Sequence, residues 1–318
     1  MKLKDIQDIF VKEGINEDPR GLDIVEADLL KRKEEYDALS FKKKESYDIE
    51  SLSNPYYDSR IIYGDPDIHV KIILVGIDIE TQELLLAKSL MDSGIKIDLV
   101  IAHHPEGYAC STFHSVMNMQ IDILNNQGVP INITEKIVSE RIREVQKNIF
   151  SKNNERIYDA TKLLKIPFMT AHSVADNHVA SFLEKNITEL KPVYLKEIVE
   201  LLNRYSEYQH AITIGQAPFI LCGNDFSRCG KVFVDMTGGT EGPLESFGKL
   251  AAAGVGTIVG MHLSSKAVKE AEKYHLNVIL AGHISSDNLG LNLLFDKLEN
   301  KAGKLEFIEC SGFRRFRR

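Results

Sequence analysis

Five of the ten histidines in this 318-residue chain fall directly after a run of apolar residues. His103 and His104 follow IDLVIA, His172 follows IPFMTA, His262 follows GTIVGM and His283 follows NVILAG. Each run has the length and aliphatic content of a buried strand, so four strand ends carry imidazoles. In parallel α/β sheets the strand C-termini share one edge, and ligands bind outside that edge. Histidines far apart in sequence can therefore converge on one pocket.

Two of these histidines have a carboxylate four residues on: Asp176 after His172, and Asp287 after His283. That spacing puts both side chains on one helix face, with Ser285 or Ser286 the expected N-cap of the second helix. Imidazole together with carboxylate suits zinc, iron, manganese, cobalt or nickel, and does not describe a thiolate site. A histidine alone after a strand is ordinarily a cap or a satisfied edge group, and His262 taken singly reads that way. Adjacent imidazoles before Pro105 gain little structurally. The set His103, His104, Asp176, His283 and Asp287 exceeds what one tetrahedral ion uses, and predicts two divalent transition-metal ions sharing a bridge. Glu106 is a candidate general acid/base beside them, or else an exposed loop carboxylate. For His114 and His178 a surface position is expected.

The elements that must position these residues begin near Val70. Val70–Gly76 (VKIILVG) reads as a buried strand, Thr81–Asp92 as a helix closed by Gly94, and Ile97–Ala102 as a second strand. Strand, helix, strand at this spacing signals βαβ units and a parallel sheet. Helices are expected at about 115–127, 134–150 and 155–165, then a strand at 167–171 and one helical segment over 176–205. Strands at 211–214, 218–222, 231–235, 256–261, 277–281 and 305–309 then interleave with helices at 244–253, 266–275 and 287–300. Residues 1–60 look different: two exposed helices and an irregular stretch through Asn54-Pro55-Tyr56-Tyr57, with no visible chemistry. This extension is expected to be dispensable for metal binding. The Gly-rich stretch Thr237–Pro243 lacks the Lys-Ser/Thr of a P-loop and reads as a plain turn rather than a phosphate cradle.

Composition bounds the function classes. Apolar residues make up 43% and charged residues 27%, which describes a soluble globular chain. A net charge of −7 argues against a dedicated nucleic-acid binder, because phosphate neutralisation needs a basic face. The basic end, Arg314-Arg315-Phe316-Arg317-Arg318, is read as a solvated tail. Four scattered cysteines without CxxC spacing, no apolar leader and no membrane-length stretch together predict a cytoplasmic protein.

At its motifs the sequence resembles the Nif-three-like family, also described as GTP cyclohydrolase I type 2 homologues or dinuclear metal-centre proteins. The matching elements are Tyr63–Pro105 ending in His103-His104-Pro105, then Ala171-His172…Asp176, then Lys231–Gly282, then Gly282-His283…Asp287. The likeness spans about 60–110 and 165–300. It implies two α/β lobes with the metal site in the cleft between them, and ring-shaped oligomers, often hexamers. The lobes would be 61–179 together with 276–318, and an inserted 180–275. By carry-over the ligands are His103, His104, Asp176, His283 and Asp287, with His172 supporting them. Asp287 stands where the family usually has Glu, and the family's TGD-xxxH element is absent. The resemblance implies a metal-dependent hydrolase acting on a nucleotide or another small heterocyclic or phosphorylated substrate. The alternative is a non-enzymatic metal-binding scaffold, metal chaperone or regulatory interaction protein.

Overall fold

The computed structural model describes residues 1–318 and places two β-sheets among helices. The apolar runs become short strands: β1 (Ile61–Tyr63), β2 (Ile72–Gly76), β3 (Leu99–Ala102), β4 (Phe168–Thr170) and β5 (Phe219–Cys222). They continue with β6 (Lys231–Asp235), β7 (Val255–Gly260), β8 (Asn277–Leu280) and β9 (Glu306–Glu309). A five-stranded sheet has the order β1-β4-β3-β2-β9, and a four-stranded sheet the order β5-β8-β7-β6. Only β1 and β5 run antiparallel to their neighbours, each at a sheet edge. β3 and β4 are buried at every residue, as parallel strands covered on both faces must be.

Several local expectations are corrected. The segment 176–205 breaks in two, because the first helix ends at left-handed Lys191 before Pro192 and a new one spans Leu195–Leu202. Residues 211–214 are not a strand but the end of the helix Ser206–Thr213. β8 pairs with β7 and β5, so it sits in the four-stranded sheet, although the expected lobe boundary puts residues 276–318 in the first lobe. A four-residue apolar strand carries no mark of the sheet it will join.

Two helices carry the chemistry: α2 (Ser173–Leu190), after β4, and α4 (His283–Ala302), after β8. Between them in sequence lies α3 (Ser265–Lys273), after β7. Preceding all of these is α1 (Leu3–Asn16), whose apolar face inserts Leu3, Ile6 and Phe10 into the largest core cluster. The first helix of the N-terminal segment is therefore a core element, not an exposed appendage. The next helix, Leu22–Asp37, matches the expectation better, with Val25 its one buried residue.

The basic tail is also corrected. Arg315 donates to Asp296 (2.6 Å) and Glu299 (2.7 Å) on α4, and Arg318 donates to Glu207 (2.6 Å). The side chain of Arg315 is only 4% exposed, so the tail is fastened to the protein. No helix is long and apolar enough to cross a membrane.

Candidate metal centre

One cavity of about 240 Å³ receives the residues that follow five strands. His104 and Pro105 come from the end of β3, and His172 from the end of β4. Asp235 closes β6, Met261 and His262 follow β7, and His283 follows β8. The strand-edge rule thus holds, but the edges of two sheets meet. A larger groove of about 630 Å³ runs beside α1 and residues 50–66, and no histidine lines it. The smaller cavity gathers the candidate histidines and carboxylates.

Three of the imidazoles are aimed by a bond at their other nitrogen. His103 Nδ1 lies 3.0 Å from the Ala171 carbonyl, His104 Nδ1 2.6 Å from Asp78, and His172 Nδ1 2.8 Å from Asp58. Such partners fix ring orientation and turn Nε2 toward the site. His104 Nε2 and His283 Nε2 approach to 3.3 Å, with Asp287 Oδ2 3.6 Å from each. On the other side, His103 Nε2 lies 3.4 Å from both Asp176 Oδ1 and Asp287 Oδ1. The five predicted residues therefore form two three-donor sets, and Asp287 belongs to both through different oxygens.

Helix starts create this geometry. Gly282 (φ 102°), not Ser285 or Ser286, is the N-cap of α4, so His283 occupies the first helical position. Ser286 Oγ donates back to the Gly282 carbonyl at 2.6 Å instead. The i, i+4 face then delivers Asp287 below His283. His172 is likewise the N-cap of α2, and its Nε2 lies 3.6 Å from Asp176 Oδ2.

The donors fit a cation. His103 Nε2, Asp176 Oδ1 and both oxygens of Asp287 are buried with no hydrogen-bond partner. Orphaned buried acceptors converging on one point cost stability unless a cation meets them. Burial drives the imidazoles of His103 and His283 down to about 3 and about 4, which keeps them neutral as ligands must be. Burial likewise pushes the carboxyls of Asp176 and Asp287 up. His172 differs: burial lowers it, but Asp176 and Asp58 outweigh that and lift it to about 9.

Other expected site residues fare differently. Glu106 does not line the cavity: the chain turns at Gly107 (φ 61°), and its charged neighbours are Glu80, Lys152 and Arg156. Burial and Glu80 raise its carboxyl to about 7. His178 is buried rather than at the surface, bonded to the Val174 carbonyl. His262 does reach the cavity, its ring centroid 4.7 Å from that of His283. Sequence reasoning missed Asp78, Asp235 and Asp58. The first two follow or end strands and obey the same edge rule as the histidines. Asp58 lies in the irregular N-terminal stretch, which offers no periodic signal.

No family model matches the sequence, and no curated protein matches it. Solved structures do. A NIF3 superfamily protein from Sphaerobacter thermophilus is similar at 25% identity and a TM-score of 0.70, covering 81% of this chain and 92% of that one. Reduced HcgD from Methanocaldococcus jannaschii aligns at 16% identity and a TM-score of 0.46, over 79% of this chain and 88% of its own. TTHA1606 from Thermus thermophilus aligns at 16% and 0.46, over 82% and 91%. With the two-sheet architecture and nearly the whole length of the Sphaerobacter protein matched, the chain has the fold of that NIF3 superfamily protein and is similar to it along most of its length.

Proposed function

We propose that this chain is a metal-dependent hydrolase with two divalent transition-metal ions, acting on a nucleotide or another small heterocyclic or phosphorylated molecule. The observation that carries this reading is Asp287, whose two oxygens face two separate donor sets. His103 and Asp176 would hold one ion, His104 and His283 the other, and Asp287 both. Ions so held would supply Lewis acidity, lowering the pKa of water toward neutrality and polarising an electrophile. The chain's own residues supply the rest. Asp58 holds His172, which keeps the second oxygen of Asp176 oriented, and Asp78 holds His104. Glu106 has no part in this reading, because it lies off the cavity wall.

Access favours catalysis over a closed structural site. The side chains of His283 and His104 are 38% and 23% exposed, while Asp287 is fully buried. A site open on one side can admit substrate, as a sealed structural site cannot. In this reading the protein works in the cytoplasm as a homo-oligomer, with a hexameric ring one form the family suggests. The test is elemental analysis followed by a hydrolysis screen over phosphoesters, nucleotides and cyclic amides, with His103→Ala/His104→Ala as control. Stoichiometric metal without turnover on any of them would favour the scaffold and overturn the hydrolase.

A further inference from the structure

The four-stranded sheet gives the cavity two more carboxylates: Asp235 at the end of β6, and Glu241 in the Gly-rich turn. Neither oxygen of Asp235 accepts a hydrogen bond or pairs with a cation within the protein. Burial, and then Glu241, raises its carboxyl to about 6. An unpaired carboxylate facing a cavity at a domain's strand edge is a recognition group awaiting a donor.

The surroundings say which donor. No lysine or arginine is among the 16 residues lining the cavity. The start of α3 could have bound an anion, but Glu241 already accepts from the Ser264 N–H there at 2.7 Å. The Gly-rich turn is braced from behind, because Gln120 donates to the carbonyls of Gly238 (2.8 Å) and Thr240 (2.7 Å). Two divalent ions would bring four positive charges, and the four carboxylates Asp176, Asp235, Glu241 and Asp287 would cancel them, while Asp58 offsets the protonated His172. A cavity left without net positive charge does not draw in a polyanion. At about 240 Å³ it also lies below the roughly 300–1,000 Å³ of pockets for drug-sized ligands.

We infer that Asp235 is a specificity-determining residue, selecting small substrates that present paired N–H donors (an amidine, guanidine or ring amide edge) and turning away polyphosphates. A planar N–H fork meets a carboxylate in two parallel charge-assisted bonds, which single phosphate oxygens cannot offer it. This inference rests on the hydrolase reading and narrows its substrate class.

Calorimetric titration of zinc-loaded protein with benzamidine, benzamide and phenyl phosphate tests it, with zinc content measured on the same samples. Wild type should bind benzamidine tightest and phenyl phosphate weakest. Asp235→Asn, which keeps the shape and removes the charge, should weaken benzamidine by about tenfold or more while retaining zinc. Asp235→Ser should do the same and guards against a folding artefact in either variant. A change of less than about twofold in both variants, or phenyl phosphate binding tighter than benzamidine to wild type, overturns the inference. If no zinc is retained the hydrolase reading fails separately, and benzamidine titration of the same proteins still decides the role of Asp235.

Discussion

Gly290 on α4 meets the backbone of Ala175 on α2 so closely that a Cβ at Gly290 would lie 2.4 Å from the Ala175 carbonyl oxygen. Each residue is within three positions of a predicted ligand, Asp287 and Asp176. The close approach lets two carboxylates from different helices share one centre. Gly290→Ala must push the helices apart, because the obstacle is backbone and cannot rotate away. Overpacking of this kind costs about 1–3 kcal/mol or more. A lowered melting temperature and reduced metal content are expected together, and an unchanged melt would contradict the contact.

Asp287 should matter more to stoichiometry than any other ligand. Asp287→Asn is expected to retain about no metal, whereas His283→Ala or Asp176→Asn should each retain about one ion. Elemental analysis of the three variants after identical loading separates the cases. Equal losses in all three would remove the case for a shared carboxylate.

The N-terminal segment should be required for the site, contrary to the expectation from sequence. Asp58 accepts from Ser173 Oγ (2.7 Å) and holds His172, while α1 packs on α2 where Gly14 abuts Val174. Loss of an orienting partner typically costs about 10–100-fold in metal affinity. Asp58→Asn should show that loss in chelator competition with its circular dichroism unchanged, and removal of residues 1–60 should expose core and abolish folding. A folded truncation with full metal affinity would refute this.

The tail gives an acid-range prediction. Burial pushes Glu299 up, but hydrogen bonds from Arg317, the Leu305 N–H and Arg315 prevail and hold it at about 2, against an ordinary 4.5. A carboxyl depressed on folding adds stability that is fully present above its unfolded pKa and is lost as pH falls toward the folded one. Tail protection in hydrogen exchange should therefore decline between about pH 4.5 and 2 in wild type. Glu299→Gln should start lower and show less decline across that window.

What the sequence made legible was local and periodic. Strand ends followed by His103, His104, His172, His262 and His283 announced themselves, and the i, i+4 carboxylates came with them. Glu106 follows His104-Pro105 in sequence yet does not line the cavity, because two positions along a loop do not fix which way a side chain turns. The burial of α1 was hidden because an amphipathic helix does not say which core will accept its face. Sheet membership of β8 was hidden for a related reason, since partner strands lie far away in sequence. The pairing of Arg315 with Asp296 and Glu299 likewise depends on a tertiary return that composition cannot show.

The contact between His104 and His283 joins positions 179 residues apart. During synthesis the first histidine pair leaves the ribosome long before α4 exists. Neither donor set is complete until the last helix docks, since Asp287 serves both. Before then His103, His104, His172 and Asp176 stand without the carboxylate that joins the two sets. The order of translation thus leaves the shared carboxylate until last: the arrangement centred on Asp287 closes only when the chain's final helix docks.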